Sequence, residues 1–203
     1  MCGEVMAVKE RTRGKVDLLS GYTGVVLTLG AAFLLGGLLG LALAENADAE
    51  ALAGLRSYLN SFRKLFLEGG VSVPLLRLLW LRMNRLLLLM ILSCVPAGTA
   101  AIPLCFGFWG MRLAHSAACL FLLYGRTGLW LSFVLFGLGE LLLLPLLTAA
   151  GAKGLLRTLG RADADAAGWR LFCAAGCVLL VLCVLIEHIA VPALLGTAAQ
   201  YVL

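Results

Sequence analysis

Charged residues and enzymatic motifs are both scarce in this chain. Only 13% of the 203 residues are Asp, Glu, Lys or Arg, whereas 62% are hydrophobic, and the mean hydropathy is +1.02. A soluble globular protein carries about 25% charged residues, so this composition excludes that class. The chain has two histidines and contains no His-Glu-x-x-His, Gly-x-Ser-x-Gly or Gly-rich phosphate loop. We therefore expect no enzyme, no catalytic residue and no bound cofactor.

Neither the cysteines nor the basic residues form a recognisable binding motif. The seven cysteines include no Cys-x-x-Cys pair, so no metal site is expected. The formal charge of +5 comes from 16 Lys and Arg against 11 Asp and Glu. These basic residues flank apolar runs and do not gather on one polar surface. This distribution indicates contact with the headgroups of a lipid bilayer and no nucleic-acid partner.

Long apolar runs account for most of the sequence. Five segments approach or exceed the roughly 20 residues that cross a bilayer: 21–44, 86–106, 108–124, 129–150 and 171–195. The third contains Arg112 and His115, so it is either a shorter crossing or half of a hairpin with the second. The sequence predicts an all-α fold, a polytopic transmembrane helical bundle of about five spans with an extracytoplasmic amphipathic helix.

Charge also predicts how the chain is oriented. The basic residues of segment 1–20 indicate a cytoplasmic N-terminus, which is followed by the first span. Residues 45–85 are then an extracytoplasmic amphipathic region, and 86–195 a transmembrane core of about four spans with a cytoplasmic loop at 151–170. After an odd number of crossings, the tail at 196–203 is expected outside.

Two glutamates lie inside apolar runs, and each is followed five residues later by a proline: Glu140 by Pro145, and Glu187 by Pro192. An ionisable group at mid-membrane is costly and usually faces protein or trapped water. Each proline also leaves a nearby carbonyl without its helical partner. Two interpretations stay open, pairing with polar groups of neighbouring helices or a role in transport or switching. The other candidate intramembrane polar residues are His188, Arg112, His115 and Asn84.

Proline and glycine predict bends and close packing of the spans. Pro96 and Pro103 predict a kinked or partly unwound second span, and Pro145 and Pro192 predict kinks in the last two. Gly36 and Gly40 form a small-residue stripe on the first span, which would let another helix approach closely.

The polar region after the first span has the pattern of an amphipathic helix. Leu52, Leu55, Leu59, Phe62 and Phe66 recur at helical spacing. Between them lie Arg56, Asn60, Arg63 and Lys64, a candidate partner or lipid face. The apolar stripe lies either on the membrane surface or against the bundle. Further along, Arg77, Arg82 and Arg85 are expected to extend their guanidinium groups towards lipid phosphates.

The order of these elements resembles the stage II sporulation protein M family over roughly residues 20–195. The motifs that carry the resemblance are Phe33-Leu-Leu-Gly-Gly-Leu-Leu-Gly40, Leu59-Asn-Ser-Phe62, Asn84, the Pro/Gly-broken 95–103, Phe108-Trp-Gly-Met-Arg112, Tyr124-Gly-Arg-Thr-Gly128, Glu140-Leu-Leu-Leu-Leu-Pro145 and Ile186-Glu-His-Ile-Ala-Val-Pro192. The fourth span departs from the family pattern. Gly137-Leu-Gly-Glu140 stands where the family has Leu-Pro followed by a polar pair.

The resemblance implies a non-enzymatic scaffold of the bacterial cell membrane. Such a protein would recruit and stabilise peptidoglycan hydrolases resembling the stage II sporulation proteins D and P, at the septal membrane during forespore engulfment. The alternative is a membrane subunit of a transporter or permease, in which the intramembrane glutamates line a solute or proton path. Self-association as a homo-oligomer stays open for both.

Overall fold

The computed structural model describes the backbone of residues 2–67, 74–160 and 166–202, and the side chains of 21–50, 52–61, 74–160, 168 and 170–194. Every regular element in these ranges is helical. The elements are α1 (Cys2–Glu45), α2 (Ala49–Leu67), α3 (Leu75–Leu92), α4 (Gly98–Tyr124), α5 (Arg126–Ser132), a π-helical segment (Phe133–Gly137), α6 (Leu138–Thr158) and α7 (Ala166–Val202). The predicted all-α fold is confirmed.

Four helical stretches are long and apolar enough to cross a membrane. They are Gly21–Glu45, Gly98–Tyr124, Arg126–Thr158 and Arg170–Leu194. Leu38 of α1 and Leu179 of α7 are among the many large apolar side chains that stay exposed, as expected where a bundle surface meets lipid. The protein is therefore a multi-pass membrane protein. α3 packs against α4, α6 and α7, but it carries three arginines and is not one of these four apolar stretches.

The predicted boundary between a second span at 86–106 and a third at 108–124 is wrong. The chain turns at 93–97, so that α3 ends at Leu92 and α4 runs without interruption from Gly98 to Tyr124. Pro96 lies in this turn, where proline disfavours helical geometry for the residue before it. Ser93 Oγ donates a hydrogen bond to the Met90 carbonyl at 2.6 Å, which satisfies a backbone group at the end of α3.

Several other predicted boundaries move because the helices extend further than the apolar runs. α1 begins at Cys2, so the basic segment 1–20 continues into the first span as one helix. The loop predicted at 151–170 is shorter, since α6 continues to Thr158 and α7 begins at Ala166. The tail predicted at 196–203 is helical as far as Val202. Of the four prolines predicted to bend helices, Pro96 lies in the turn between α3 and α4, whereas Pro103, Pro145 and Pro192 lie within helices that continue past them.

α1 and α4 meet along a seam of glycines. A Cβ added at Gly36 would overlap the Gly107 carbonyl, and one added at Gly40 would overlap the Met111 carbonyl. From the other side, a Cβ at Gly110 would overlap the Phe33 carbonyl. The predicted packing role of Gly36 and Gly40 is confirmed. Because 36 meets 107 and 40 meets 111, the two helices run parallel.

The remaining helices alternate in direction around an apolar core. Gly139 of α6 lies against Glu187 of α7, whereas Gly176 lies against Leu146, so these two helices are antiparallel. The core contains fully buried side chains from α1, α4, α6 and α7, among them Leu29, Phe106, Leu147 and Leu180. α3 contributes Leu86 and Leu89 to it. This arrangement places the middle of α3 directly beside the two glutamate-bearing helices.

Candidate functional site

Four ionisable side chains meet in the middle of the bundle and form what we call the four-charge cluster: Arg82 and Arg85 of α3, Glu140 of α6 and Glu187 of α7. Arg82 donates from Nη2 to Glu187 Oε1 at 2.6 Å and from Nε to Glu187 Oε2 at 3.2 Å. Its Nη1 donates to Glu140 Oε1 at 2.8 Å. The same Glu140 oxygen accepts a hydrogen bond from Arg85 Nη1. Three helices are thereby joined through one guanidinium group.

The spacing of α3 explains why two arginines reach the cluster. Residues three apart lie on the same face of a helix, so Arg82 and Arg85 both reach Glu140 of α6. Arg77, five residues before Arg82, is exposed. The planar guanidinium group can donate two parallel hydrogen bonds to the two oxygens of a carboxylate, and Arg82 does so to Glu187.

The cluster is graded from buried to accessible. The relative exposure of the side chain is 8% for Glu187, 10% for Arg82, 13% for Glu140 and 23% for Arg85. Arg85 also places its guanidinium 5.8 Å from the centre of the Trp109 ring, within the range of a cation–π contact. The cluster is therefore most accessible from outside the bundle at Arg85.

The four charges sum to zero, which makes the cluster tolerable inside a membrane bundle. A buried ion pair is roughly neutral for stability compared with apolar side chains, whereas removing one partner costs about 3–5 kcal/mol. Both carboxylates accept charge-assisted hydrogen bonds from Arg82. This arrangement locks the relative positions of α3, α6 and α7.

Glycine and a π-helical segment shape α6 around the cluster. A Cβ at Gly139 would overlap Arg82 Nη2 and the Glu187 carboxylate, so the absence of a side chain there makes room for the ion pair. The segment Phe133–Gly137, which ends two residues earlier, is π-helical. Such wider turns are often found at functional sites.

The structure separates the predicted polar residues into those inside the cluster and those outside it. Glu140 and Glu187 are inside, which confirms the interpretation that they pair with polar groups of neighbouring helices. Asn84, Arg112 and His188 are exposed, and the Arg112 guanidinium lies 6.0 Å from the Phe108 ring centre. His115 lies in a separate cavity beside α2. The predicted polar residues therefore do not form one continuous group.

The expectation that Arg82 and Arg85 extend towards lipid phosphates is wrong. Their position ahead of the apolar run 86–92 gave them the pattern of residues that flank a span, but α3 begins at Leu75 and both lie within it. The available signal was two arginines three residues apart on a helix that also carries ten leucines. They formed one polar stripe on an otherwise apolar helix.

The amphipathic helix predicted within residues 45–85 is confirmed as α2, and Leu55 and Leu59 on its apolar side face the bundle. Leu59 contacts the small core formed by Leu120, Leu131 and Val134. Arg56 and Asn60 are exposed and lie together with Ser57 and Ser61 along a shallow groove. The side chains of Arg63 and Lys64 lie outside the described residues.

Within the described residues, no group of three or more His, Cys, Asp and Glu side chains is placed to hold a metal ion. Comparisons of the chain with protein-family models, with curated proteins and with solved structures find no match. Function is therefore inferred from the geometry of the bundle and the motifs of the sequence.

Proposed function

We propose that this protein is a non-enzymatic integral membrane scaffold of the bacterial cell membrane. In this proposal it recruits and stabilises peptidoglycan hydrolases, enzymes resembling the stage II sporulation proteins D and P, at the septal membrane during forespore engulfment. The motifs that resemble the stage II sporulation protein M family suggest the partner class. The geometry contributes two features that suit a scaffold.

The observation that carries the proposal is the exposed polar side of α2. Leu55 and Leu59 face the bundle, whereas Arg56, Ser57 and Asn60 are exposed. α2 follows α1 directly, and the basic start of α1 favours a cytoplasmic N-terminus. α2 would then lie on the wall side of the membrane, where a hydrolase can reach it.

The four-charge cluster supports the same proposal. Arg82 compensates both glutamates, so the charges in the bundle are engaged in holding helices together. A fixed bundle presents α2 in one orientation, which is the property that a docking platform requires.

Co-purification tests this proposal. The tagged chain would be extracted with detergent from membranes of the organism that carries it, and the recovered proteins identified by mass spectrometry. We expect peptidoglycan hydrolases with the wild type, reduced recovery with Arg56→Glu, and none with Arg56→Glu/Arg63→Glu/Lys64→Glu. Arg126→Glu is the matched control, since it reverses an exposed charge at the start of α5. Equal recovery with all four proteins would contradict the proposal.

A permease or transporter subunit is the second candidate, and the four-charge cluster is the observation that favours it. Ionisable groups inside a membrane often mark ion or proton paths, and a π-helical segment lies beside Glu140. Reconstituted vesicles containing a pH-sensitive dye would distinguish the two functions. Proton or solute flux that is lost in Glu140→Gln, while hydrolases are not recovered with the wild type, would favour the permease.

A further inference from the structure

A cavity of about 390 Å³ lies between α2 and the bundle, apart from the four-charge cluster. One wall is α2, with Leu55 and Leu59. The opposite walls are α4, with Leu120, and the π-helical segment, with Leu135 and Phe136. The volume falls within the range of about 300–1,000 Å³ that is typical of small-molecule sites.

The walls of this cavity are mainly apolar, so they favour an apolar ligand body. One buried polar atom stands out against them. His115 Nδ1 has no hydrogen-bond partner within the described part of the chain. The other ring nitrogen, Nε2, lies 3.7 Å from Cys119 Sγ. A buried nitrogen without a partner is costly, and a turn of the His115 ring towards the cavity would bring it to a ligand hydroxyl or carboxyl group.

The position of the cavity indicates where its ligand comes from. His115 precedes the end of α4 at Tyr124 by nine residues, about 14 Å along the helix axis. α2 is an amphipathic helix, the type that lies at the boundary between lipid headgroups and acyl chains. The cavity therefore lies between a helix of the boundary type and a membrane-crossing helix, where a lipid of the bilayer can reach it.

The size of the cavity limits the ligand to one chain. If a methylene group occupies about the 30 Å³ that a water molecule takes in the liquid, the cavity holds on the order of a dozen such groups. Most of one acyl chain fits this space, whereas the two chains of a phospholipid do not.

We propose that the cavity binds a single-chain lipid with a carboxyl or hydroxyl end, taken from the surrounding bilayer. The hydrocarbon chain packs between Leu59 and Phe136, and the polar end hydrogen-bonds to His115 Nδ1. This inference is independent of the scaffold and permease proposals, because it uses neither the exposed face of α2 nor the four-charge cluster.

Photolabelling of the purified protein in phosphatidylcholine nanodiscs tests this site. The probe is palmitic acid with a diazirine in mid-chain, and labelled peptides are mapped by mass spectrometry. We expect label on 52–61, 115–120 and 135–136, with competition by unlabelled palmitic acid and by hexadecanol. Label spread evenly over the exposed faces of α1 and α7, without competition, would mean general lipid contact and would overturn the proposal.

Two variants of α4 provide the matched comparison. Ser116→Phe fills the cavity and should remove most of the label from these peptides, whereas Leu122→Phe adds the same ring at an exposed position of α4 and should leave the label unchanged. Leu59→Phe fills the cavity from α2 and replaces Ser116→Phe if that variant loses its helical circular dichroism. Full labelling of a folded cavity-filling variant would exclude the site.

Substitutions of His115 test recognition of the polar end. His115→Phe removes the hydrogen bond and should weaken palmitate competition roughly threefold to tenfold. His115→Asn keeps a hydrogen-bonding amide near the position of Nδ1 and should restore most of the affinity. Equal competition by hexadecane and palmitic acid in the wild type would show that no polar end is recognised, which would contradict the proposal.

Discussion

The α1–α4 seam and the four-charge cluster hold the same bundle together by opposite means. Along the seam, Gly36 and Gly110 remove side chains so that backbone meets backbone. In the cluster, Arg82 extends a long side chain to reach two other helices. Lipid offers helices no hydrophobic drive to associate, so close packing and polar contacts both serve that purpose in membranes.

The two regions should also fail differently. A seam between backbones has no flexible atoms that can move aside, so an added side chain forces the helices apart. A cluster of long side chains can adjust. Arg85, its most exposed member, can also turn towards the outside of the bundle. We therefore expect the largest effect at the seam and a graded series of effects in the cluster.

Gly36→Leu should have the largest effect. The new side chain would overlap the Gly107 carbonyl, and because the obstacle is backbone, the loss of stability should exceed the roughly 3 kcal/mol of ordinary overpacking. An SDS titration followed by circular dichroism would measure it. Gly30→Leu is the control, since a Cβ at Gly30 meets no atom of the described residues within 4 Å. Equal stability of the two variants would refute the close seam.

Arg82→Leu should follow, with a loss of about 3–5 kcal/mol in the same titration, because it leaves two buried carboxylates without their shared partner. Arg77→Leu on the exposed side of α3 is the control and should cost little.

The double variant Arg82→Leu/Glu187→Leu sharpens this prediction. It removes both members of the most buried pair and leaves Arg85 bound to Glu140. Because apolar side chains replace buried ion pairs at little cost, the double variant should recover more than half of the stability that Arg82→Leu loses. A double variant less stable than Arg82→Leu would show that the charge balance is not the cause.

Glu187→Gln should destabilise the bundle more than Glu140→Gln. Glu187 is the more buried residue and accepts two hydrogen bonds from Arg82, so its loss should cost about 1.5–3 kcal/mol. Glu140→Gln releases Arg85, whose side chain is 23% exposed and can turn towards its surroundings. The loss of stability in Glu140→Gln should be about half as large. The reverse order in the titration would contradict the burial gradient of the cluster.

Arg85→Lys should have the smallest effect, a loss of about 1 kcal/mol or less. Lysine keeps the charge near Glu140 but cannot reproduce the planar group that lies over the Trp109 ring. Thermal unfolding of both Arg85→Lys and the exposed control Arg126→Lys would measure the difference. A loss at Arg85 as large as that in Arg82→Leu would mean that the two arginines are equivalent.

The features that could be predicted from sequence are those with a local signal. Glu140 and Glu187 are conspicuous because they interrupt apolar runs. Gly36 and Gly40 are four residues apart, the spacing of two residues on one face of a helix. The amphipathic period of α2 is equally local. Each of these predictions agrees with the structure.

The features that were missed depend on contacts between distant segments. Arg82 and Glu187 are 105 residues apart, and nothing near Arg82 in the sequence identifies its partner. Gly107 and Gly110 were missed because a predicted span boundary fell between 106 and 108. His115 was grouped with the glutamates because both are polar, although α2 packs over it in the structure.

The reach of Arg82 across three helices also has a consequence for biogenesis. Placing an arginine at the centre of a lone membrane helix costs about 2.5–3.5 kcal/mol, and α3 leaves the ribosome long before residue 187 has been synthesised. Its two inner arginines have no carboxylate to meet until Glu140 of α6 has been made, and Arg82 lacks its more buried partner until Glu187 follows. We therefore expect α3 to complete its insertion only after α6 and α7 have been made.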